Sequence, residues 1–130
     1  MSKRILVVDD SATARMVIKR CVEMGVQNET EIILAENGKD ALDKLNEGLM
    51  DLIITDINMP EMNGEEFIVE LHKSDDYKNI PVIVVSSVAS PTLELILTSH
   101  GVNTVISKPV SPMIIADAIK ALNIEGFEVD

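Results

Sequence analysis

Short apolar runs alternate along this chain with stretches whose apolar residues recur every three or four positions. The runs read as buried strands and the spaced stretches as amphipathic helices. Lys3 to Val8 is the first run, and Asp9-Asp10-Ser11 ends it with helix-capping residue types. Ala14, Val17, Ile18 and Cys21 then fall on one helical stripe, Met16 lies off it, and Gly25 closes the helix. Val26 to Thr30 is a polar connection, and Glu31 to Ala35 is a second strand. Asn37-Gly38 turns into a helix with Ala41, Leu42 and Leu45 on one face, ended by Gly48. A third strand runs from Leu52 to Asp56, and a loop through Pro60 and Gly64 leads to a helix marked by Phe67, Ile68 and Leu71. Pro81 opens a fourth strand, Val82 to Val85, running into Ser86-Ser87. Ser90-Pro91 and Ser111-Pro112 each start a helix, with cap and first-turn proline in the favoured order. The first of these turns Leu93, Ile96 and Leu97 inward, and the second Ile115, Ala118, Ile119 and Leu122. Between them Thr104 to Ile106 is a fifth strand, followed by Ser107-Lys108-Pro109.

Five apolar strands in strict alternation with amphipathic helices predict an α/β fold, a parallel sheet covered on both faces. Right-handed crossovers leave few topologies, and a doubly wound sheet is the best of them. In such a sheet the carboxyl ends of the strands share one edge, where ligands and chemistry collect. The predicted strands end at Asp9-Asp10, Asp56, Ser86 and Lys108. Three carboxylates, a hydroxyl and an ammonium therefore meet in one crevice. Carboxylates brought together repel unless something positive lies between them. A hard divalent cation prefers oxygen ligands, and Mg²⁺ takes one or two carboxylates while sharing phosphate oxygens. Lys108 supplies a point charge and Ser86 a donor for phosphoryl oxygens. The set suits phosphoryl transfer onto Asp56.

Composition narrows the alternatives. Lys and Arg total 11 against 22 Asp and Glu, a net charge of -11, so the chain repels nucleic-acid backbones and anionic membranes. Aromatics are only 2%, which disfavours stacking platforms for bases or flavins. The single cysteine, Cys21, excludes an intramolecular disulfide and reads as a buried small hydrophobe. No signal peptide or membrane span is visible, so a cytoplasmic location is expected. The last residues, Glu125 to Asp130, are acidic and are expected to fray.

Val7-Val8-Asp9-Asp10, Asp56-Ile57-Asn58-Met59-Pro60-Glu61-Met62-Asn63-Gly64, Pro81 to Ser87 and Lys108-Pro109, in this order and each at a predicted strand end, resemble response-regulator receiver domains. The single-domain chemotaxis-type regulators are especially similar. The resemblance spans Lys3 to Leu122 and divides the chain into a receiver domain, 1–124, and an acidic tail, 125–130. It implies a flavodoxin-like (βα)5 three-layer sandwich with strand order 2-1-3-4-5. It implies that Asp56 is the phospho-acceptor, that Asp10 and Asp56 ligate Mg²⁺ directly, that Asp9 acts through a metal-bound water and Asn58 through its backbone carbonyl. Mn²⁺ is expected to substitute. Ser86 becomes the switch hydroxyl, Lys108 a phosphoryl contact, Lys108-Pro109 a cis bond, and Gly64 a position that excludes a side chain. The family usually carries Tyr or Phe where this chain has Val105, so helix and loop shifts around Ser86 must carry more of the output.

The resemblance implies a signalling switch rather than a conventional enzyme. A sensor histidine kinase or histidine phosphotransfer protein donates, the chain hydrolyses its own acyl phosphate, and output is by protein contact with an unidentified target. The switching surface is the fourth helix, fifth strand and last helix, with the chain a monomer or a phosphorylation-dependent dimer. Exposed Met16 is expected beside the docked kinase, and Leu95 either adds to an apolar partner surface on the fourth helix or packs against the last helix. Taken singly, most of these residues have plainer readings. Asp9 or Asp10 could cap the first helix, Asn58 and Asn63 read as turn residues, and His72 and His100 as surface residues near helix ends. An aspartyl-phosphate hydrolase of the haloacid-dehalogenase type wants a second acid two residues beyond its nucleophile, and here that residue is Asn58. A flavodoxin-like electron carrier needs a phosphate loop where Asp9-Asp10 would repel phosphate. A binding module that uses the fold without phosphorylation stays open.

Overall fold

The computed structural model describes residues 2–129. Its elements are β1 (Lys3–Val8), α1 (Ala12–Gly25), β2 (Thr30–Ala35), α2 (Gly38–Asn46), β3 (Leu52–Thr55), α3 (Gly64–Lys73), β4 (Val82–Ser86), α4 (Pro91–Ser99), β5 (Thr104–Ser107) and α5 (Pro112–Leu122). The five strands form one parallel sheet in the order β2-β1-β3-β4-β5, as the resemblance implied. Each helix starts at a short polar cap: Ser11, Asn37, Asn63, Ser90 and Ser111 accept the backbone N–H three residues on. Asn63 is more than a turn residue. It forms a reciprocal capping box with Glu66, each side chain accepting the other's backbone N–H.

Alternation along the strands splits the core in two. Ile5, Val7, Leu52, Ile54, Ile83 and Val85 face α1 and α5 with Ile18, Val22, Ile115 and Ile119. Leu6, Val8, Ile53, Val82 and Val84 face the other side, against Ala41, Leu45, Phe67, Ile68, Leu71 and Leu97. Each of these large side chains contributes roughly 1.5–3 kcal/mol on full burial. Cys21 is buried, and burial raises its thiol pKa.

The helical stripes differ from expectation in two places. On α1 the buried set is Ile18, Cys21, Val22 and Gly25, whereas Val17 is 44% exposed. The stripe is rotated toward Val22 because α5 lies against that side of α1. On α4 only Leu97 is buried. Leu93 is half-buried and Ile96 is exposed, because α4 sits at the margin of the sheet, where one residue rather than a full stripe turns inward. His72 and His100 are half-buried; the His72 ring lies beside Gly101 with Nδ1 2.8 Å from the Ile68 carbonyl oxygen.

Over Glu125–Val129 the tail lies folded back against the domain; Asp130 lies outside the described residues. Asn123 and Gly126 adopt φ of 51° and 85°, folding the chain back. Val129 bridges antiparallel to Val26, and the Gln27 N–H donates to the Glu128 carbonyl at 2.7 Å. The Asn28 side chain donates to the Gly126 carbonyl at 2.8 Å and accepts the Glu128 N–H. Phe127 packs into the α1–α5 layer under the Lys3 ammonium, 5.5 Å from the ring centroid. An aromatic among acids gave this segment an apolar anchor that net charge concealed.

Candidate functional site

The register of the sheet assembles the site. Val8 pairs with Thr55, and the Asp56 N–H donates to the Val8 carbonyl at 2.9 Å. The residues just past β1 and β3, Asp9 and Asp56, are therefore neighbours. Ser86 pairs with Ser107, and the Lys108 N–H donates to the Ser86 carbonyl at 3.0 Å. Two strand pairings thus bring Lys108, far along the chain, back to the first acids.

The Lys108 ammonium lies 2.8 Å from Asp9 Oδ2 and 3.3 Å from Asp56 Oδ2. Desolvation of this ammonium works against its protonation. The hydrogen bond to Asp9 and the charges of Asp56 and Asp9 outweigh it, and the Lys108 pKa is raised. Asp9 and Asp56 are buried, while Asp10 is exposed. Carboxylate oxygens of all three lie within 4.8 Å of one another. One ammonium cannot balance three carboxylates, and three convergent hard oxygens fit a divalent cation.

Other bonds fix the acids individually. Asp56 Oδ1 accepts the Ile57 N–H at 2.7 Å. Asp9 Oδ1 accepts the Ser11 N–H at 2.9 Å, and Arg15 Nη1 donates to the Asp9 carbonyl at 2.7 Å. Neither Asp9 nor Asp10 caps α1, since Ser11 does so. The capping reading of the two acids is thereby set aside. Arg15 escaped the sequence reading. Its signal was its place one turn into α1, where a long side chain tilts back toward the preceding loop.

The remaining residues divide. Ser86 is buried at the end of β4, its Oγ accepting the Val88 N–H at 3.1 Å. Val88 is 55% exposed beside it. Lys108-Pro109 is cis. Gly64 is buried, and a Cβ there would collide with the Asp56 carbonyl oxygen and lie 2.8 Å from Ile57 Cα. Asn58 is exposed, with no side-chain hydrogen bond among the described residues. Val105 is half-buried and packs toward the α4 side of the core. Leu95 is 74% exposed and Met16 48%.

Comparison with known proteins agrees with this geometry. The family model described as "Response regulator receiver domain" matches residues 5–120. Chemotaxis protein CheY of Thermotoga maritima is 34% identical over 124 residues, covering 95% of this chain and 99% of that protein. A segment of the sensor histidine kinase CheAY of Helicobacter pylori is 32% identical, covering 94% of this chain and 15% of that protein. The solved structure of the chemotaxis response regulator CheY4 of Vibrio cholerae superposes with a TM-score of 0.80 at 28% identity, covering 95% of this chain and 98% of that one.

Proposed function

The chain belongs to the response-regulator receiver family, whose members are phosphorylation-dependent signalling switches, and from that premise we propose a specific switch centred on Asp56. A phosphohistidine on a kinase or phosphotransfer protein presents its phosphoryl group to the crevice. An Asp56 carboxylate oxygen attacks phosphorus, the P–N bond breaks, and the imidazole leaves. Lys108, already protonated between Asp9 and Asp56, exchanges a carboxylate partner for phosphoryl oxygen. Ser86 turns its hydroxyl from the Val88 N–H toward the same group. Asp9, Asp10, Asp56 and the Asn58 carbonyl would hold Mg²⁺, with Mn²⁺ as a substitute. When bound, the cation offsets charge on the phosphoryl oxygens. Water later attacks the acyl phosphate and restores the carboxylate.

Phosphorylation adds a charge of roughly -1.5 to -2. Drawing Ser86 and Lys108 toward that charge shifts β4, β5 and the loops before α4 and α5, so α4–β5–α5 is the output face. Val105, aliphatic rather than aromatic, leaves the movement of α4 as the main readout. The kinase docks over the loops of the crevice beside Met16, the downstream protein on the face bearing Leu95. A cytoplasmic location goes with this reading. No described helix is long and apolar enough to cross a membrane.

The observation that carries the proposal is the convergence of three carboxylates at the strand ends, two of them paired with one lysine. The test is incubation with acetyl phosphate or phosphoramidate, with and without Mg²⁺, followed by intact mass. One added phosphoryl group is expected with Mg²⁺, and none on Asp56→Asn. Equal labelling of that variant would assign the acceptor elsewhere.

A further inference from the structure

Arg15 carries a role that the phosphorylation scheme does not assign. It stands in the first turn of α1, its N–H bonded to the Ser11 carbonyl at 3.0 Å. Its guanidinium reaches back over the helix start to the loop carrying Asp9 and Asp10. There it donates from Nη1 to the Asp9 carbonyl at 2.7 Å. In a chain with 22 acidic residues, beside three clustered carboxylates, an arginine would be expected to pair with acid. Among the described residues Arg15 makes no ion pair and spends its charge on a main-chain oxygen.

The consequence lies in what that oxygen controls. The Asp9 N–H is bonded to the Ala35 carbonyl at 3.1 Å and the Asp9 side chain to the Ser11 N–H and Lys108. The Asp9–Asp10 peptide itself offers two polar groups, the Asp9 carbonyl and the Asp10 N–H, and Arg15 takes the carbonyl. The plane of this peptide sets the direction of the Asp10 side chain, which is exposed and makes no hydrogen bond among the described residues. Mutual repulsion of the acids favours turning Asp10 outward. A charged donor locked on the carbonyl opposes that rotation.

We propose that Arg15 is a positioning residue that pre-sets Asp10 for the divalent cation by holding the Asp9–Asp10 peptide. This rests on the metal reading given under Proposed function. A planar, always-charged fork suits a fixed carbonyl better than a lysine, which is a mobile point charge. Outer partners of metal ligands commonly change affinity by about 10–100-fold when removed.

The experiment is calorimetric titration of Mg²⁺ into the wild type, Arg15→Lys and Arg15→Met, with melting of the metal-free proteins and acetyl phosphate labelling alongside. The expected result is Mg²⁺ affinity lowered roughly tenfold in both variants, with melting temperatures close to wild type. Labelling at saturating Mg²⁺ should stay near the wild-type rate, so the loss lies in metal affinity and not in transfer. If Arg15→Lys binds like wild type and Arg15→Met binds more tightly, Arg15 is only a background charge and the proposal falls. Unchanged affinity in both variants also overturns it. A wild type that binds no Mg²⁺ brings down the metal reading itself, and is told apart because the deficit then precedes any substitution.

Discussion

Phe127→Ala tests whether the C-terminal segment is part of the fold. The ring is half-buried against the α1–α5 layer and lies under the Lys3 ammonium. Truncating a fully buried Phe costs about 3–5 kcal/mol. Half-burial reduces this to roughly 2 kcal/mol, with the cation contact adding about 0.5 kcal/mol at an exposed site. In a domain of this size such a loss lowers Tm by about 6–10 °C. Asn28→Ala removes the two hydrogen bonds to Gly126 and Glu128 and should cost about 1 kcal/mol, since both are solvent-exposed. The melts are followed by circular dichroism in metal-free buffer, with amide exchange at Val26 and Gln27 as the local readout. Mg²⁺ affinity should not move, because the segment sits at the amino end of the strands and the acids at the carboxyl end. A Tm shift under about 2 °C for Phe127→Ala, together with unprotected amides in the wild type, would mean that the segment is a free tail.

Four further outcomes follow from the same geometry. Gly64→Ala should cost about 1–3 kcal/mol and slow acetyl phosphate labelling, because the new Cβ meets main-chain atoms of Asp56 and Ile57 that cannot swing aside; an unchanged melt contradicts this. Mg²⁺ at a hundred times its Kd should stabilise the wild type by about 2.7 kcal/mol, and Asp10→Asn should shrink that gain; equal shifts would remove Asp10 from the metal site. Leu95→Glu, at a 74% exposed position, should leave stability within about 0.5 kcal/mol while weakening capture of the phosphorylation-dependent partner; unaltered capture would move the output surface elsewhere. Val88→Glu places a carboxylate beside Ser86 at the mouth of the crevice and should hasten hydrolysis of the acyl phosphate by ordering water; a dephosphorylation time course identical to wild type counts against it.

Periodicity alone was enough for the alternation of strands and helices. Period two and period 3.6 are imposed by backbone geometry, and each element here carries its own pattern, its own cap and its own stop. The acids at the strand ends were legible for the same reason: in a parallel sheet every carboxyl end points one way, so Asp9, Asp10, Asp56, Ser86 and Lys108 had to share an edge. How far each helical stripe extends was not legible. Val17 and Ile96 have the right spacing but face solvent, because burial depends on which neighbour lies alongside, and α5 and the sheet margin are set by the tertiary arrangement.

Residue order therefore dictated which groups could meet at the crevice, since local backbone preferences and the one-way run of the strands are written into adjacent residues. Contacts between segments remote in the chain came from packing. The bridging of Asp9 and Asp56 by Lys108 and the fold-back of Phe127 onto α1 depend on distances of a few ångströms between strands and across layers, and no local pattern encodes those distances.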